Sequence, residues 1–439
     1  MNSYNNKKKD KIIKLNKNNG ILKEKESHFI LRNINNILIT KLIDLFLPIY
    51  KIENNLIFDE EEKTKYKDIY PRKIDLINNL NVQNIIKSYY SISIKGSNSI
   101  ENQDSYFYYK DYMLIKNLIL LGVCDGHGKF GYLISDKLSI LFPSYFLYII
   151  MEDFLIKENK DINKEIYQLF KLEENPKEVK DMYILRYFFN KFKMNFKKIP
   201  LFKGNILLLK NQIYESLHYS HNDLKARYSI DYDFSGSTLC SCLIMGFTIY
   251  VINVGDSQII SGLFDNNSNK WEAKPLSVAH TFEISQESKR ILINGGRVDR
   301  MKNDKGKEVG PLRVYDNNIE SDIPGLSISR SIGDNFAKRF GVSYEPEVLK
   351  YNLKKEEKII VVGTDGLFNC LSYQEIINEL GRFYMENKNA EEATIHLIDY
   401  AKLKCANITK KKKKNSETND NIYKENYNDM TCVVLFLDI

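Results

Sequence analysis

The chain has 439 residues, of which 43% are hydrophobic and 28% are charged. This composition supplies a buried core and excludes both a wholly disordered chain and a small disulfide-rich protein. The 64 Lys and Arg residues exceed the 57 Asp and Glu residues by only seven, so the net charge is weak evidence for nucleic acid or an anionic membrane as a partner.

The N-terminal region differs in composition from the rest of the chain. Residues 1–26 are rich in Lys and Asn, which predicts a disordered tail, and the helical spacing of apolar residues after Ile30 predicts a helical extension over 27–85. We find no signal-peptide pattern and no unbroken apolar run of about 18 residues, so we expect no membrane insertion. The expected location is the cytoplasm, and the lysines at 410–414 leave the nucleus open.

From residue 86 onward, short apolar runs typical of strands alternate with helical patterns. The predicted strands include Leu118–Cys124, Thr248–Val254, Lys358–Gly363 and Thr431–Leu437, and the predicted helices include Leu133–Ile150, Ile206–Lys225, Ser285–Ile293 and Tyr373–Leu380. Charged or polar segments near 152–200, 301–320 and 410–425 interrupt this pattern. We interpret them as insertions in one domain that covers 86–439.

The six cysteines show no spacing typical of a zinc site. Cys240 and Cys242 alternate with apolar residues, as in the interior of a strand. We therefore predict that the cysteines are buried, reduced thiols with a structural role.

Acidic residues recur where predicted strands end. Three apolar runs stop at an Asp beside a Gly, and polar stretches with further acids adjoin two more strands; the pairs are Asp125-Gly126, Gly255-Asp256 and Asp365-Gly366, and the further residues are Asp104, Asn428 and Asp429. A single Asp-Gly pair is usually a turn, but three of them, one followed by His127, favour a site. Several converging carboxylates require a neutralising cation, and oxygen ligands suit Mg²⁺ or Mn²⁺ better than zinc.

The same blocks resemble the metal-dependent protein serine/threonine phosphatase family, type 2C. In chain order they read KGSNSIENQDSYF, GVCDGHGKFG, DFSGSTLCSCLI, INVGDSQII, PGLSISRSIGD, IIVVGTDGLFN and NDMTCVVLF. The resemblance covers residues 90–439. It implies an α+β fold, a four-layer α-β-β-α sandwich of two antiparallel sheets flanked by helices.

The resemblance also implies a role for each acid. Asp125 would bridge two Mg²⁺ or Mn²⁺ ions, Gly126 would offer its carbonyl, and Asp365 would bind one ion. Asp104 would lie beside or behind the ions, and Asp256 matches the family acid associated with an additional, weaker ion. A water bridging the two ions would attack the phosphorus, and His127 would protonate the departing oxygen.

The implied activity is hydrolysis of phosphoserine and phosphothreonine in proteins. The expected partners are phosphorylated proteins, with no nucleic acid, and the expected state is a monomer. The alternative is a weakly active or inactive relative that acts as a binding or scaffold protein.

Two departures from the family pattern bear on this alternative. Ser99 stands where the family often has a phosphate-binding arginine, and Lys95 is our candidate replacement. The last block reads Asn428-Asp429 where the family has Asp-Asn, so either residue could be the metal ligand. The polar segment 301–320 falls where the family has a flap beside the site, so we expect it to tune substrate access.

Overall fold

The structure is a computed structural model, and it describes residues 82–97, 99–157, 205–227, 232–303, 305–317, 322–414 and 427–439. Apart from residues 155–157, these belong to one compact unit formed by residues 71–154 and 195–439. The predicted tail, nearly all of the predicted helical extension, and most of the insertions near 152–200 and 410–425 lie outside the described residues.

Strands dominate the described part of the chain. In chain order they are β1 (Ile86–Ile94), β2 (Asp104–Tyr109), β3 (Leu118–His127), β4 (Gly236–Ser237), β5 (Leu239–Met245), β6 (Thr248–Val254), β7 (Gln258–Asp265), β8 (Lys270–Pro275), β9 (Gly296–Lys302), β10 (Glu308–Asp316), β11 (Pro324–Leu326), β12 (Ile332–Gly333), β13 (Glu347–Asn352), β14 (Glu357–Gly363) and β15 (Met430–Leu437). The helices are α1 (Gly131–Lys157), α2 (Ile206–Arg227), α3 (Ser285–Ile293), α4 (Asn335–Lys338), α5 (Asp365–Phe368), α6 (Tyr373–Met385) and α7 (Ala390–Lys414).

The strands form two large sheets and one small sheet. The five-stranded sheet has the order β1-β15-β14-β7-β8, and the seven-stranded sheet has the order β12-β4-β3-β5-β6-β13 with β2 paired to β3. The small sheet has the order β11-β10-β9. All of these pairs are antiparallel. The predicted α+β class with antiparallel sheets and flanking helices is confirmed.

Strand β14 shows why the predicted strands are unbroken apolar runs. Successive side chains of a strand point to opposite faces. Ile359 and Val361 pack in the cluster that includes residues of α6 and α7, whereas Ile360 and Val362 pack against residues of β3, β5 and β6 in the other large sheet. Both faces of this strand are therefore buried, and neither tolerates polar side chains.

Helices cover the outer faces of the two large sheets. Helices α6 and α7 pack on the five-stranded sheet. Helix α1 packs on the seven-stranded sheet, where the ring centroids of Phe107 and Phe142 lie 6.3 Å apart, and α2 packs on α1 through Tyr145 and Tyr219. The layers therefore follow the order helix, sheet, sheet, helix that the resemblance implies.

Helix α1 contains the predicted helix Leu133–Ile150, and Pro143 lies inside it. Among the described residues this is the one helix long and apolar enough to cross a membrane, over Gly131–Ile150, but 78% of that stretch is buried inside the protein. Burial of this kind is typical of a core helix.

The prediction that all the cysteines are reduced is wrong for two of them. Cys370, after α5, and Cys405, on α7, form a disulfide whose Cα atoms lie 5.1 Å apart. The remaining four are buried and free, as predicted: Cys124, Cys240, Cys242 and Cys432. No local pattern indicates this pair, because its members are 35 residues apart and meet only when α7 packs beside α6.

Candidate active site

The pairing of β2 with β3 brings two of the predicted acids together. Asp104 begins β2, Asp125 lies near the end of β3, and the two are direct cross-strand partners. Such partners lie on the same face of the sheet, with Cβ atoms about 5 Å apart. The local sequence explains the pairing, because each acid adjoins an apolar run that is fixed in the core.

The two other Asp-Gly turns converge on this pair. Asp365 is the first residue of α5 and follows the end of β14 after one residue, Thr364. The preceding Thr364 donates a hydrogen bond from Oγ1 to Oδ2 of Asp104 at 2.7 Å, which ties the end of β14 to β2. Asp256 follows β6 across Gly255, whose φ of +103° favours glycine.

Burial and mutual repulsion raise the pKa values of these acids, because both disfavour the charged carboxylate. Burial raises the pKa of Asp104 to about 7 and that of Asp256 to about 7. Burial, with the nearby charges of the other three acids, raises the pKa of Asp125 well above its ordinary value. The neighbouring side chain of Asp365 raises the pKa of Asp125 further.

His127, at the end of β3, forms an ion pair with a residue that the sequence analysis did not assign. Its Nε2 lies 2.7 Å from Oδ2 of Asp334, which is buried. Burial opposes charge on the imidazole, but Asp334 outweighs it and raises the pKa of His127. Burial likewise opposes ionisation of Asp334, yet His127 holds the pKa of Asp334 below its ordinary value. The structure therefore favours the charged form of both groups.

The backbone around Asp334 fixes this carboxyl group in place. Its φ is 50°, an uncommon value for a residue other than glycine. Ser331 donates from Oγ to Asp334 Oδ2 at 2.5 Å. The absence of a side chain at Gly236 provides space for this ion pair, because a Cβ there would lie 2.1 Å from Asp334 Oδ2 and 2.8 Å from His127 Nε2. The sequence signal was present, since the Gly-Asp pair that ends SRSIGD has the same order as Gly255-Asp256.

These residues line one cavity of about 300 Å³. Asp125, Asp256 and Asp365 lie in it with His127 and Asp334. Gly128, Phe234, Thr238, Arg313 and the segment 324–328 complete its lining. Segment 301–320, which we expected to be a polar flap, contributes β10 with Arg313, and the three-stranded sheet brings this strand to the cavity.

The acids fit the divalent cations that the resemblance implies. The donors are carboxylate oxygens, which suit Mg²⁺ and Mn²⁺, and a cation would relieve the repulsion that raises the pKa values of Asp104, Asp125 and Asp256. Within the described ranges, no three Asp, Glu, His or Cys side chains are arranged to hold an ion as they stand. The fit therefore rests on the chemistry and burial of the donors.

The structure separates the two candidates at the last block. Asn428 is exposed. Asp429 accepts hydrogen bonds from the backbone N–H of Gly96 at 2.6 Å and of Gln103 at 2.7 Å, and its charge contributes to the raised pKa of Asp104. Asp429 thus lies with the acid cluster, and which residue binds metal stays a prediction.

The other predicted residues divide between the cluster and the surface. Gly126 is buried beside the cluster, with its N–H donated to the carbonyl of Gln103 at 3.0 Å. Lys95 is exposed and reaches the carbonyl of Ile100 at 3.4 Å. It does not line the cavity, so the structure gives no support to Lys95 as the phosphate contact.

Comparisons with known proteins match this chain to phosphatases. The rice (Oryza sativa subsp. japonica) protein named Probable protein phosphatase 2C 75 is 29% identical over 296 residues, 64% of this chain and 62% of its own length. Probable protein phosphatase 2C 1 of Arabidopsis thaliana is 27% identical over 63% of this chain and 54% of its own length. The chain thus matches less than two thirds of the length of either relative.

A solved structure supports the fold independently. The crystal structure of serine-threonine phosphatase 2C from Toxoplasma gondii matches 81% of this chain and 98% of its own, with a TM-score of 0.53 and 16% identity. The sequence model of the family protein phosphatase 2C matches residues 188–408, half of the chain. Together with the ordered motif blocks and the sandwich fold, this match shows that the chain belongs to the protein phosphatase 2C family.

Proposed function

We propose that the chain is a metal-dependent protein serine/threonine phosphatase that hydrolyses phosphoserine and phosphothreonine in protein substrates. The observation that carries the proposal is the joining, in one cavity, of a cluster of half-buried acids and a paired histidine. A chain without catalysis would have no physical need for acids that repel one another in its interior. The family membership supports the same activity.

The acid cluster is the part of the site that would hold two Mg²⁺ or Mn²⁺ ions. Asp125 and Asp365 would be ligands, Gly126 would offer its carbonyl, Asp104 would support them through its hydrogen bond with Thr364, and Asp256 would serve an additional, weaker ion. When bound, such ions supply an acidified water and shield the charge of a phosphate monoester. This role explains why the fold retains carboxyl groups whose ionisation it otherwise resists.

His127 and Asp334 form the part of the site that handles the leaving group. An unprotonated serine or threonine oxygen is a poor leaving group, and a positioned acid that ionises near neutral pH can supply its proton. Asp334 holds the imidazole through Nε2 and favours its protonated form. We assign His127 as the general acid and Asp334 as the residue that positions it.

The proposal predicts phosphatase activity that depends on a divalent cation. The purified chain should release phosphate from a phosphothreonine peptide when Mn²⁺ or Mg²⁺ is titrated in. EDTA should abolish the release, because the acids repel the substrate phosphate when no cation neutralises their charge. Phosphate release is measured directly, and cation binding is followed separately by calorimetry. Binding of the cation without any turnover would contradict the proposal and favour a binding or scaffold protein.

A second prediction concerns the reversed pair in the last block. Asp429→Ala should raise the cation concentration needed for half-maximal activity by about 10- to 100-fold, the usual cost of losing a group that supports metal ligands. Asn428→Ala should change it less than about twofold, because an exposed side chain away from the site contributes little. The measurement is activity against Mn²⁺ concentration for both variants and the wild type. A larger effect at Asn428 would identify the amide as the ligand.

A further inference from the structure

One wall of the cavity is formed by the small sheet, and it carries a cation. Arg313 lies on β10, and the neighbouring β11 contributes Pro324, Gly325 and Leu326 to the same cavity. Strand β10 pairs with β9 over seven residue pairs, which holds the position of Arg313 in the wall. His127 and Asp334 lie in the same cavity.

The hydrogen bonds of Arg313 leave most of its guanidinium group unused. Nη1 donates to the carbonyl of Gly325 at 2.5 Å. Nε is buried and has no hydrogen-bond partner among the described residues. A buried donor without an acceptor is rare in native proteins and often marks a functional group. The fold therefore positions this guanidinium without satisfying it.

The other arginines of the sheet behave differently. Arg297 pairs with Asp299 at 2.6 Å, and Arg300 lies 3.5 Å from Glu283. Arg313 forms no ion pair in the part of the chain that the structure describes, because its cross-strand partner Asp299 pairs with Arg297 instead. Its charge is available to an anion that enters the cavity.

The chemistry of the substrate identifies that anion. A phosphate monoester brings a dianion into a cavity lined by acids, so it needs cationic donors. Ser99 stands where the family often has a phosphate-binding arginine, and the exposed Lys95 does not reach the cavity. A guanidinium group presents parallel N–H donors that match two phosphoryl oxygens, which the point charge of a lysine does not.

We propose that Arg313 binds the phosphoryl group of the substrate and replaces the arginine that the first block lacks. This inference rests on the proposed phosphatase function and adds the residue that recognises the phosphate. Nε and the remaining N–H groups are the donors, and the Gly325 carbonyl holds the guanidinium group in place.

The test compares Arg313→Ala and Arg313→Lys with the wild type. In the presence of Mn²⁺, Arg313→Ala should raise KM for p-nitrophenyl phosphate and weaken inhibition by inorganic phosphate by about 10- to 100-fold, the range expected for a lost charge-assisted hydrogen bond. Arg313→Lys should recover only part of the loss. Arg300→Ala, which removes the same charge from β9 outside the cavity, is the matched control and should behave as wild type.

The outcomes separate this inference from the proposed function. Calorimetry with inorganic phosphate measures binding without turnover, so an inactive wild type that loses phosphate binding on Arg313→Ala would contradict the phosphatase proposal alone. An active wild type whose phosphate inhibition is unchanged in Arg313→Ala would overturn the inference. A loss confined to phosphopeptides with acidic flanking residues would also overturn it, because Arg313 would then contact the peptide. Thermal unfolding confirms that each variant is folded.

Discussion

Replacing Asp125 with asparagine is expected to lower kcat/KM for a phosphothreonine peptide by at least about 1,000-fold, a loss of about 4 kcal/mol of transition-state stabilisation. Asp125 lies at the centre of the acid cluster, where the charges of Asp104, Asp365 and Asp256 all act on it. An amide of the same shape keeps the packing but removes the charge that would hold the cations. The measurement is phosphate release at saturating Mn²⁺.

The same substitution should stabilise the cation-free protein. Aspartate ordinarily has a pKa of 3.8, whereas burial raises that of Asp104 and Asp256 to about 7. Between these values the folded chain binds more protons than the unfolded chain, so the folded state loses stability as pH rises from about 4 to about 7. Removing one of the repelling charges should raise the unfolding temperature in EDTA at pH 8 by a few degrees.

The control for this prediction is an exposed aspartate. Asp399→Asn on α7 removes the same charge from a side chain that is 65% exposed and should change neither activity nor the pH dependence of unfolding. Differential scanning fluorimetry in EDTA at pH 5 and pH 8 compares the three proteins. Equal destabilisation of Asp125→Asn at both pH values would show that Asp125 supports packing and is not under electrostatic strain.

Replacing His127 with alanine is expected to lower kcat by about 100- to 10,000-fold on a phosphothreonine peptide, the usual contribution of a positioned acid. The loss on p-nitrophenyl phosphate should be much smaller, because nitrophenolate is a stable anion that leaves without a proton. The contrast between the two substrates is the diagnostic measurement. His396→Ala, on α7 and away from the cavity, is the matched control.

The pH profile provides a second readout of the same role. His127 must be protonated to act as an acid, so wild-type kcat on the peptide should fall as pH rises through its pKa, which Asp334 raises. Asp334→Asn should move this fall to lower pH, and His127→Ala should remove it. Equal losses on both substrates, with an unchanged profile, would assign His127 to binding and contradict its role as the acid.

Much of the fold could be predicted because local pattern and tertiary environment agree. The apolar run of β14 is unbroken because both faces of the strand are buried. The charged side chain of Asp365 follows where the strand leaves the core, and it therefore marks both the end of the run and the site.

The rest of the site depends on contacts that no local pattern records. Asp334 follows a glycine as Asp256 does, but only the fold brings it against His127. Arg313 is one of several arginines in a polar segment, and its role emerges only when β10 is placed beside the cavity. The Cys370–Cys405 bond likewise depends on the packing of helices that are distant in sequence.

The position of β15 has a consequence for how the protein is made. This strand is translated after every other described strand, yet it lies between β1 and β14 in its sheet. Asp429, which immediately precedes the strand, accepts hydrogen bonds from the backbone N–H groups of Gly96 and Gln103. A nascent chain that has not released these residues from the ribosome lacks the strand that joins β1 to β14, the strand that precedes Asp365. A stop codon before Met430 would therefore yield a chain without a working site.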